Sequence, residues 1–126
     1  GRRDGSIVVA DYGRCRVVVF DCEGAFVRAF GAKGRGAGQF ERLGDVCILQ
    51  GGQIPVSDWG RGTIQVFSWQ GEYLRTISKE GDSKIDLGRP YGIASDSQGR
   101  VFVSSLGTGP VRILSRALLP LPRMQA

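Results

Sequence analysis

The chain has 126 residues, of which 41% are hydrophobic and 20 are glycine, and its formal net charge is +5. This length fits one domain, and the charge permits nucleic-acid binding without requiring it. Because histidine is absent and the three cysteines form no C-x-x-C pair, the composition excludes Ser-His and Cys-His nucleophiles and disfavours a zinc site or a disulfide framework.

The first predicted strands lie in the stretch VVADYGRCRVVVFDCEG, which begins at Val8. Two β-branched runs flank the loop YGRC, and GAFVRAFG, from Gly24, adds a third run behind a turn. At an offset of 47 residues nearly the same phrase returns as PVSDWGRGTIQVFSWQG, and a shorter copy, VSSLGTGPVRIL, follows. A fixed period of about 20–50 residues indicates a repeat architecture.

The second repeat unit contains four predicted strands, DVCIL, IPVSD, TIQVFS and YLRTIS, separated by QGGQ, WGRG and WQGE. The third unit continues with YGIAS, RVFVSS and VRIL, separated by DSQG and LGTG. Gly, Asp and Ser cluster in such turns because they accept positive φ or bond their own backbone. No window keeps a helical period over three turns, and Pro120 interrupts the one candidate, RALLPL.

A four-stranded antiparallel unit repeated every 47 residues predicts an all-β fold, namely part of a β-propeller. We expect units at about residues 1–42, 43–89 and 90–115, the first without its opening strand and the third without its last. Residues 116–126, RALLPLPRMQA, contain two prolines and no turn glycine, so we predict a non-repeat tail. About two and a half blades cannot close a ring of four to eight, so we expect a fragment or truncated product that needs the remaining blades of a longer propeller.

Several segments together resemble the NHL repeat, and the resemblance covers about residues 4–115. The matching segments are KGRGAGQF (residues 33–40), RPYGIASDSQGRVFVSS (89–105), VADYGRCRVVVF (9–20) and GAFVRAFG (24–31). The resemblance implies a propeller like those at the end of tripartite-motif ubiquitin ligases, where it selects RNA or protein. The second unit departs from the pattern at Leu43 and Asp45, and the third has Ser105 where the family has aspartate.

The loops YGR and WGR place an aromatic residue, a glycine and an arginine at the same position of two units. Aromatic side chains stack on bases, and arginine contacts phosphates or base edges. The linker KGRG resembles the connection that lies on the same side in the NHL family. We therefore predict six binding residues on one side of the propeller: Tyr12, Arg14, Lys33, Arg35, Trp59 and Arg61. In the alternative, the aromatics pack against the neighbouring blade and the arginines are merely solvated.

Asp11 and Asp58 recur at the end of equivalent strands. A pair of catalytic carboxylates would have to converge in one cleft, whereas repeat-equivalent residues lie on neighbouring blades. We therefore expect each aspartate to cap its own loop by accepting backbone N–H groups. The segment GAKGRGAGQ lacks the Gly-Lys-Ser/Thr of a phosphate-binding Walker A loop. The sequence thus predicts no catalytic residue, no metal site and no cofactor.

We predict a recognition module, with single-stranded or stem-loop RNA as the leading partner. A protein-interaction platform without RNA binding is the alternative, and a propeller lyase or lactonase is a remote one. The resemblance implies that E3 ubiquitin ligase activity would need a zinc-binding RING in a segment absent from this chain. No apolar run reaches the roughly 18–20 residues that cross a bilayer, so we expect no membrane partner. The three cysteines are best interpreted as reduced structural residues, so we expect a cytoplasmic location.

Overall fold

The computed structural model of the chain describes residues 4–80, 85–107, 109–115 and 120–125. Strands are nearly all of the regular secondary structure in these residues, and the one helical element among them is a 3₁₀ turn at Tyr12–Arg14. Among the described residues there is no helix long and apolar enough to cross a membrane.

Three antiparallel sheets follow one another along the chain. The first consists of β1 (Ile7–Asp11), β2 (Arg16–Phe20) and β3 (Phe26–Phe30). A short parallel pair, β4 (Ala32–Lys33) and β5 (Gln39–Phe40), lies in the linker that follows. The second sheet consists of β6 (Leu43–Val46), β7 (Ile54–Asp58), β8 (Thr63–Phe67) and β9 (Tyr73–Ile77). The third consists of β10 (Pro90–Ser95), β11 (Val101–Ser105), β12 (Arg112–Leu114) and β13 (Pro120–Gln125). Strand order follows chain order in each sheet.

The strand registers repeat at the 47-residue offset read from the sequence. Ile7 pairs with Phe20 in the first sheet, and Ile54 pairs with Phe67 in the second. The turn glycines at the same offset, Gly5, Gly52 and Gly99, have φ values of 85°, 92° and 82°, where a side chain would be strained. The predicted all-β partial propeller of four-stranded antiparallel blades is confirmed.

A fourth strand of the third sheet lies inside the predicted non-repeat tail. β13 begins at Pro120, 47 residues after β9 begins at Tyr73, and pairs antiparallel with β12. The structure therefore continues the repeat where the sequence predicts its end. β13 is the outermost strand of its sheet, and proline is tolerated there because an edge strand has one side without ladder hydrogen bonds. The boundaries of the units remain predictions.

Two apolar clusters join the sheets. The first lies between the first and second sheets: Val17, Phe40, Leu43, Ile48, Ile54, Val56 and Phe67. The second lies between the second and third sheets: Leu49, Ile64, Val66, Ile77, Ile85, Leu87, Ile93, Val101, Val103 and Leu114. We call the face of a sheet toward the sheet before it the leading face, and the face toward the sheet after it the trailing face. In the second sheet Ile54, Val56 and Phe67 form the leading face, and Ile64 and Ile77 belong to the trailing face.

Candidate nucleic-acid interface

One side of the propeller, which we call the loop side, carries the loops 12–15 and 59–62. These loops join β1 to β2 and β7 to β8. Because antiparallel strands alternate in direction, the linkers that leave β3 and β9 start from this same side. The turn at residues 96–100, between β10 and β11, lies on the opposite side.

A groove of about 490 Å³ opens on the loop side. Three aromatic residues line it, Tyr12, Trp59 and Tyr91, together with three basic residues, Arg14, Lys33 and Arg42. Glu41 is the acidic residue in its described lining, which also includes Leu43. The groove therefore combines flat apolar rings with an excess of positive charge, and it draws on all three units.

Trp59 lies beside two guanidinium groups. The Cζ atoms of Arg42 and Arg89 are 5.9 and 5.5 Å from the centroid of its half-buried ring. Its backbone N–H donates to the carbonyl of Arg42 at 3.1 Å. Guanidinium groups at such distances from an indole ring make cation–π contacts, so Trp59 and its two arginines form a cationic platform at the groove.

Bonds between units hold Tyr91 in the groove. The Ser57 hydroxyl donates to the Tyr91 carbonyl at 2.6 Å, and an Asp45 carboxylate oxygen accepts the N–H of Ile93 at 3.1 Å. The Tyr91 hydroxyl lies 3.3 Å from the hydroxyl of Tyr12, whose residue is 55% exposed. This bond links the first unit to the third, and much of the Tyr12 ring remains exposed to a ligand.

The hydrogen bond to Tyr91 is the main reason that the pKa of Tyr12 rises from 10.0 to about 12. We expect the Tyr91→Phe variant to ionise Tyr12 at a lower pH, closer to 10.0. Because the folded pKa is raised, the stabilisation is complete below the ordinary tyrosine pKa and is lost as the pH rises through about 12. Ultraviolet absorbance of the phenolate, with Tyr12→Phe as the reference, measures this shift. Identical titrations of Tyr12 in the native and Tyr91→Phe chains would contradict it.

Four of the six predicted binding residues share this groove: Tyr12, Arg14, Lys33 and Trp59. Arg35 and Arg61 instead line a separate pocket of about 510 Å³ together with Lys79. Arg35 forms an ion pair with Glu41, which lines the groove. The six residues therefore line two separate cavities, and their common role in binding stays a prediction.

Sequence reasoning did not identify Arg42 and Tyr91, which line the groove, or Arg89, which lies beside the ring of Trp59. Arg42 and Arg89 stand 47 residues apart, so the repeat offset could have identified them. Tyr91 has no such signal, because Gly44 occupies the equivalent position of the second unit.

Asp58 has the predicted capping geometry. Its buried carboxylate accepts the backbone N–H groups of Glu41 at 2.8 Å, Arg42 at 2.9 Å and Gly60 at 3.2 Å. It therefore fixes its own loop and the linker that arrives from the first unit. In the third unit the Ser105 hydroxyl takes part of this role by accepting the N–H of Arg89 at 3.0 Å.

Asp11 does not repeat this geometry, which corrects the second capping prediction. Its side chain makes no capping hydrogen bond to the 3₁₀ turn that follows it. It accepts Nε of Arg16 at 3.0 Å and lies 3.7 Å from Arg14, whose side chain is 73% exposed. The hydrogen bond from Arg16 is the main cause of the lowered pKa of Asp11. No preceding linker among the described residues supplies the N–H groups that Asp58 receives.

The positions of the cysteines and acidic residues bear on metal binding and thiol chemistry in the part of the chain that the structure describes. No group of three or more His, Cys, Asp or Glu residues is placed there to hold a metal ion. Burial is the main reason that the pKa of Cys47 rises to about 11, so its thiol is almost entirely protonated at neutral pH.

Comparison with known proteins supports the architecture alone. No family model and no curated protein matches the chain. Its structure is similar to that of a streptogramin B lyase, with a TM-score of 0.68 and 17% identity over 96% of this chain and 39% of the lyase. It is also similar to a Bacteroides caccae protein of unknown function, with a TM-score of 0.66 and 10% identity over 98% of this chain and 46% of that protein. The chain is thus of the β-propeller type and spans less than half the length of either protein.

Proposed function

We propose that this propeller segment is a recognition module that binds single-stranded or stem-loop RNA through the groove. The observation that carries the proposal is the convergence of Tyr12, Trp59 and Tyr91 with Arg14, Lys33 and Arg42 on one side of three consecutive units. Proteins that bind single-stranded nucleic acid combine a positively charged groove with aromatic platforms for the bases.

The residues in and around the groove differ in exposure, and they therefore differ in the part of an RNA that they can contact. Tyr12 is 55% exposed and presents an open ring on which a base can stack. Arg14 and Lys33 are exposed beside it and provide positive charge for the phosphates. Arg42 and Arg89 belong to the platform around Trp59, where planar guanidinium groups can contact phosphates or base edges.

The resemblance to the NHL repeat extends the proposal to the parent protein. The chain would be the part of a tripartite-motif E3 ubiquitin ligase that selects RNA or a substrate protein. The ligase chemistry would belong to a zinc-binding RING in another segment, and the chain itself would act by binding. Likeness of fold alone gives no support to lyase or lactonase activity, because one fold hosts many unrelated functions.

A protein partner is the second candidate function. It is favoured by Trp59, whose half-buried ring already lies near two guanidinium groups, and by the bond that joins Tyr12 to Tyr91. These contacts leave less free aromatic surface for bases than an open platform would. Carboxylates of a protein partner would pair with the same arginines.

Binding of a labelled single-stranded RNA and a labelled stem-loop RNA, followed by fluorescence anisotropy at several salt concentrations, tests the proposal. We expect Tyr12→Ala to weaken binding by about 1–3 kcal/mol, the value of one stacked base. Arg14→Gln should weaken binding and lower the slope of log affinity against log salt by about 0.7, because one phosphate contact is lost. Tyr12 and Arg14 are both exposed, so these changes disturb the fold little.

Arg100→Gln is the matched control. Arg100 lies on the opposite side and is held by Asp96 at 2.6 Å and by the ring of Phe102. Its replacement should leave RNA affinity and salt slope near those of the native chain. If Tyr12→Ala and Arg14→Gln behave like this control, the groove does not bind RNA and the protein partner becomes the leading hypothesis.

A further inference from the structure

A second pocket on the loop side lies between the second and third units. It has a volume of about 510 Å³ and opens where the loop 59–62 meets the linker that leaves β9. A cavity of this size can hold a small molecule or one unit of a polymer. Basic, acidic and hydroxyl side chains share its described lining, among them Arg35, Arg61, Lys79, Glu80, Asp86 and Thr63.

Two of the three basic side chains in the second pocket have no acidic partner. No salt bridge involves Arg61 or Lys79 in the part of the chain that the structure describes, whereas Arg35 pairs with Glu41. Arg61 is half-buried and Lys79 is exposed. Their charged groups are therefore available to an oxyanion, and the planar fork of arginine matches the oxygens of a phosphate.

The hydroxyl group of Thr63 is buried without a partner. Thr63 is 6% exposed, and none of the described residues forms a hydrogen bond with its Oγ1. Thr63 pairs across the strands with Asp58, whose carboxylate instead accepts three backbone N–H groups. In the first unit the equivalent residues, Arg16 and Asp11, do bond to each other. Because an unpaired buried hydroxyl costs free energy, an oxygen atom of a ligand in the second pocket would stabilise it.

Two carboxylates line the same pocket and restrict the kind of ligand that fits. One oxygen of Asp86 accepts the N–H of Gly88 at 3.0 Å, and Glu80 is exposed. A carboxylate keeps further acceptor sites after one such bond. A bare anion would be repelled by these carboxylates, whereas a sugar phosphate has hydroxyl groups that donate to them. Acidic side chains bind a ribose hydroxyl in this way in dinucleotide-binding proteins.

We propose that the second pocket binds a ribose phosphate. Arg61 and Lys79 bind the phosphate, and a ligand oxygen accepts the hydroxyl of Thr63. The carboxylates of Glu80 and Asp86 accept the ribose hydroxyls. A free ribonucleotide and the backbone of an RNA both present these groups. Binding of a free ribonucleotide is independent of the groove, whereas binding of an RNA backbone rests on the proposed function.

Isothermal titration calorimetry of the 126-residue chain with ribose 5-phosphate tests this assignment, with inorganic phosphate and ribose as comparison ligands. We expect ribose 5-phosphate to bind about tenfold or more tightly than either, because each comparison ligand lacks one of the two groups that the pocket contacts. Arg61→Gln and Lys79→Gln should each raise the dissociation constant by about tenfold or more, since each removes a charge-assisted hydrogen bond. Equal affinity for ribose 5-phosphate and inorganic phosphate, or native affinity in both variants, would overturn the proposal.

Thr63→Val separates binding from stability. Valine has a similar shape but no hydroxyl group, so the change removes a buried polar group without a partner and should leave the urea midpoint unchanged or raise it. It should nevertheless weaken the binding of ribose 5-phosphate by about fivefold, because one hydrogen bond is lost. A lower midpoint with unchanged affinity would contradict the assigned contact. Arg100→Gln, on the opposite side, is the matched control for loss of charge and should bind ribose 5-phosphate like the native chain.

The labelled RNAs distinguish the two sources of the ribose phosphate. Arg61 stands 47 residues after Arg14, so an RNA strand that crosses both units can place a phosphate at each arginine. If the pocket binds the RNA backbone, Arg61→Gln should lower the salt slope by about 0.7, and ribose 5-phosphate should compete with RNA. If it binds a free ribonucleotide, Arg61→Gln should bind RNA like the native chain. Native RNA binding by Tyr12→Ala and Arg14→Gln would count against the groove alone, because neither residue takes part in binding ribose 5-phosphate.

Discussion

Replacing Asp58 with alanine is expected to lower the free energy of unfolding by about 4.5 kcal/mol or more, because hydrogen bonds to a charged acceptor contribute about 1.5–3 kcal/mol each and three are lost. The carboxylate is 0% exposed and binds the N–H groups of Glu41, Arg42 and Gly60. Without it, two of these groups on the linker and one in the loop lose their acceptor. Urea unfolding followed by circular dichroism measures the change.

Asp11→Ala is the control for this variant, because the two aspartates occupy the same position of the repeat. The partners of Asp11 are the arginine side chains Arg14 and Arg16, and partly exposed ion pairs contribute little to stability. Its replacement should therefore change the urea midpoint far less than Asp58→Ala does. Equal losses in the two variants would show that Asp58 does not hold the linker in the way described.

Removing the ring of Phe67 is expected to destabilise the chain by about 3–5 kcal/mol, the usual cost of truncating a buried phenylalanine. Phe67 is 2% exposed, and its ring centroid lies 4.8 Å from Phe30, 5.8 Å from Phe40 and 6.1 Å from Tyr73. These contacts join the first sheet, the linker and the second sheet. The expected loss is a large part of the roughly 5–15 kcal/mol that stabilises an ordinary domain.

Two further substitutions, measured by thermal and urea unfolding, are compared with Phe67→Ala. Phe67→Leu introduces the residue that the third unit has at this position, Leu114, and should cost less than Phe67→Ala because most of the buried volume is kept. Phe26→Ala removes a ring that is 62% exposed and should change the stability by no more than about 0.5 kcal/mol. A loss for Phe67→Ala no larger than that for Phe26→Ala would contradict the proposed packing between the sheets.

The sequence by itself determined most of the strands, the turns and the common side of the loops. These features depend on local chemistry repeated at one offset: alternating apolar residues set the strand faces, and turn glycines such as Gly52 adopt positive φ whatever the distant chain does. β13 also follows the 47-residue offset. The two prolines in that segment had instead favoured a non-repeat tail. The expectation that proline excludes a strand failed there because an edge strand can accommodate proline.

Only the tertiary structure decided which charged and aromatic side chains meet. Asp11 and Asp58 occupy one repeat position but differ in partners, because a linker from a preceding sheet reaches Asp58 alone among the described residues. Tyr12 and Tyr91 meet across 79 positions, whereas Arg61 turns toward another pocket two residues after Trp59. These contacts between side chains depend on how successive sheets pack and on which linker lies between them. The contacting residues are far apart in sequence, so no local pattern records them.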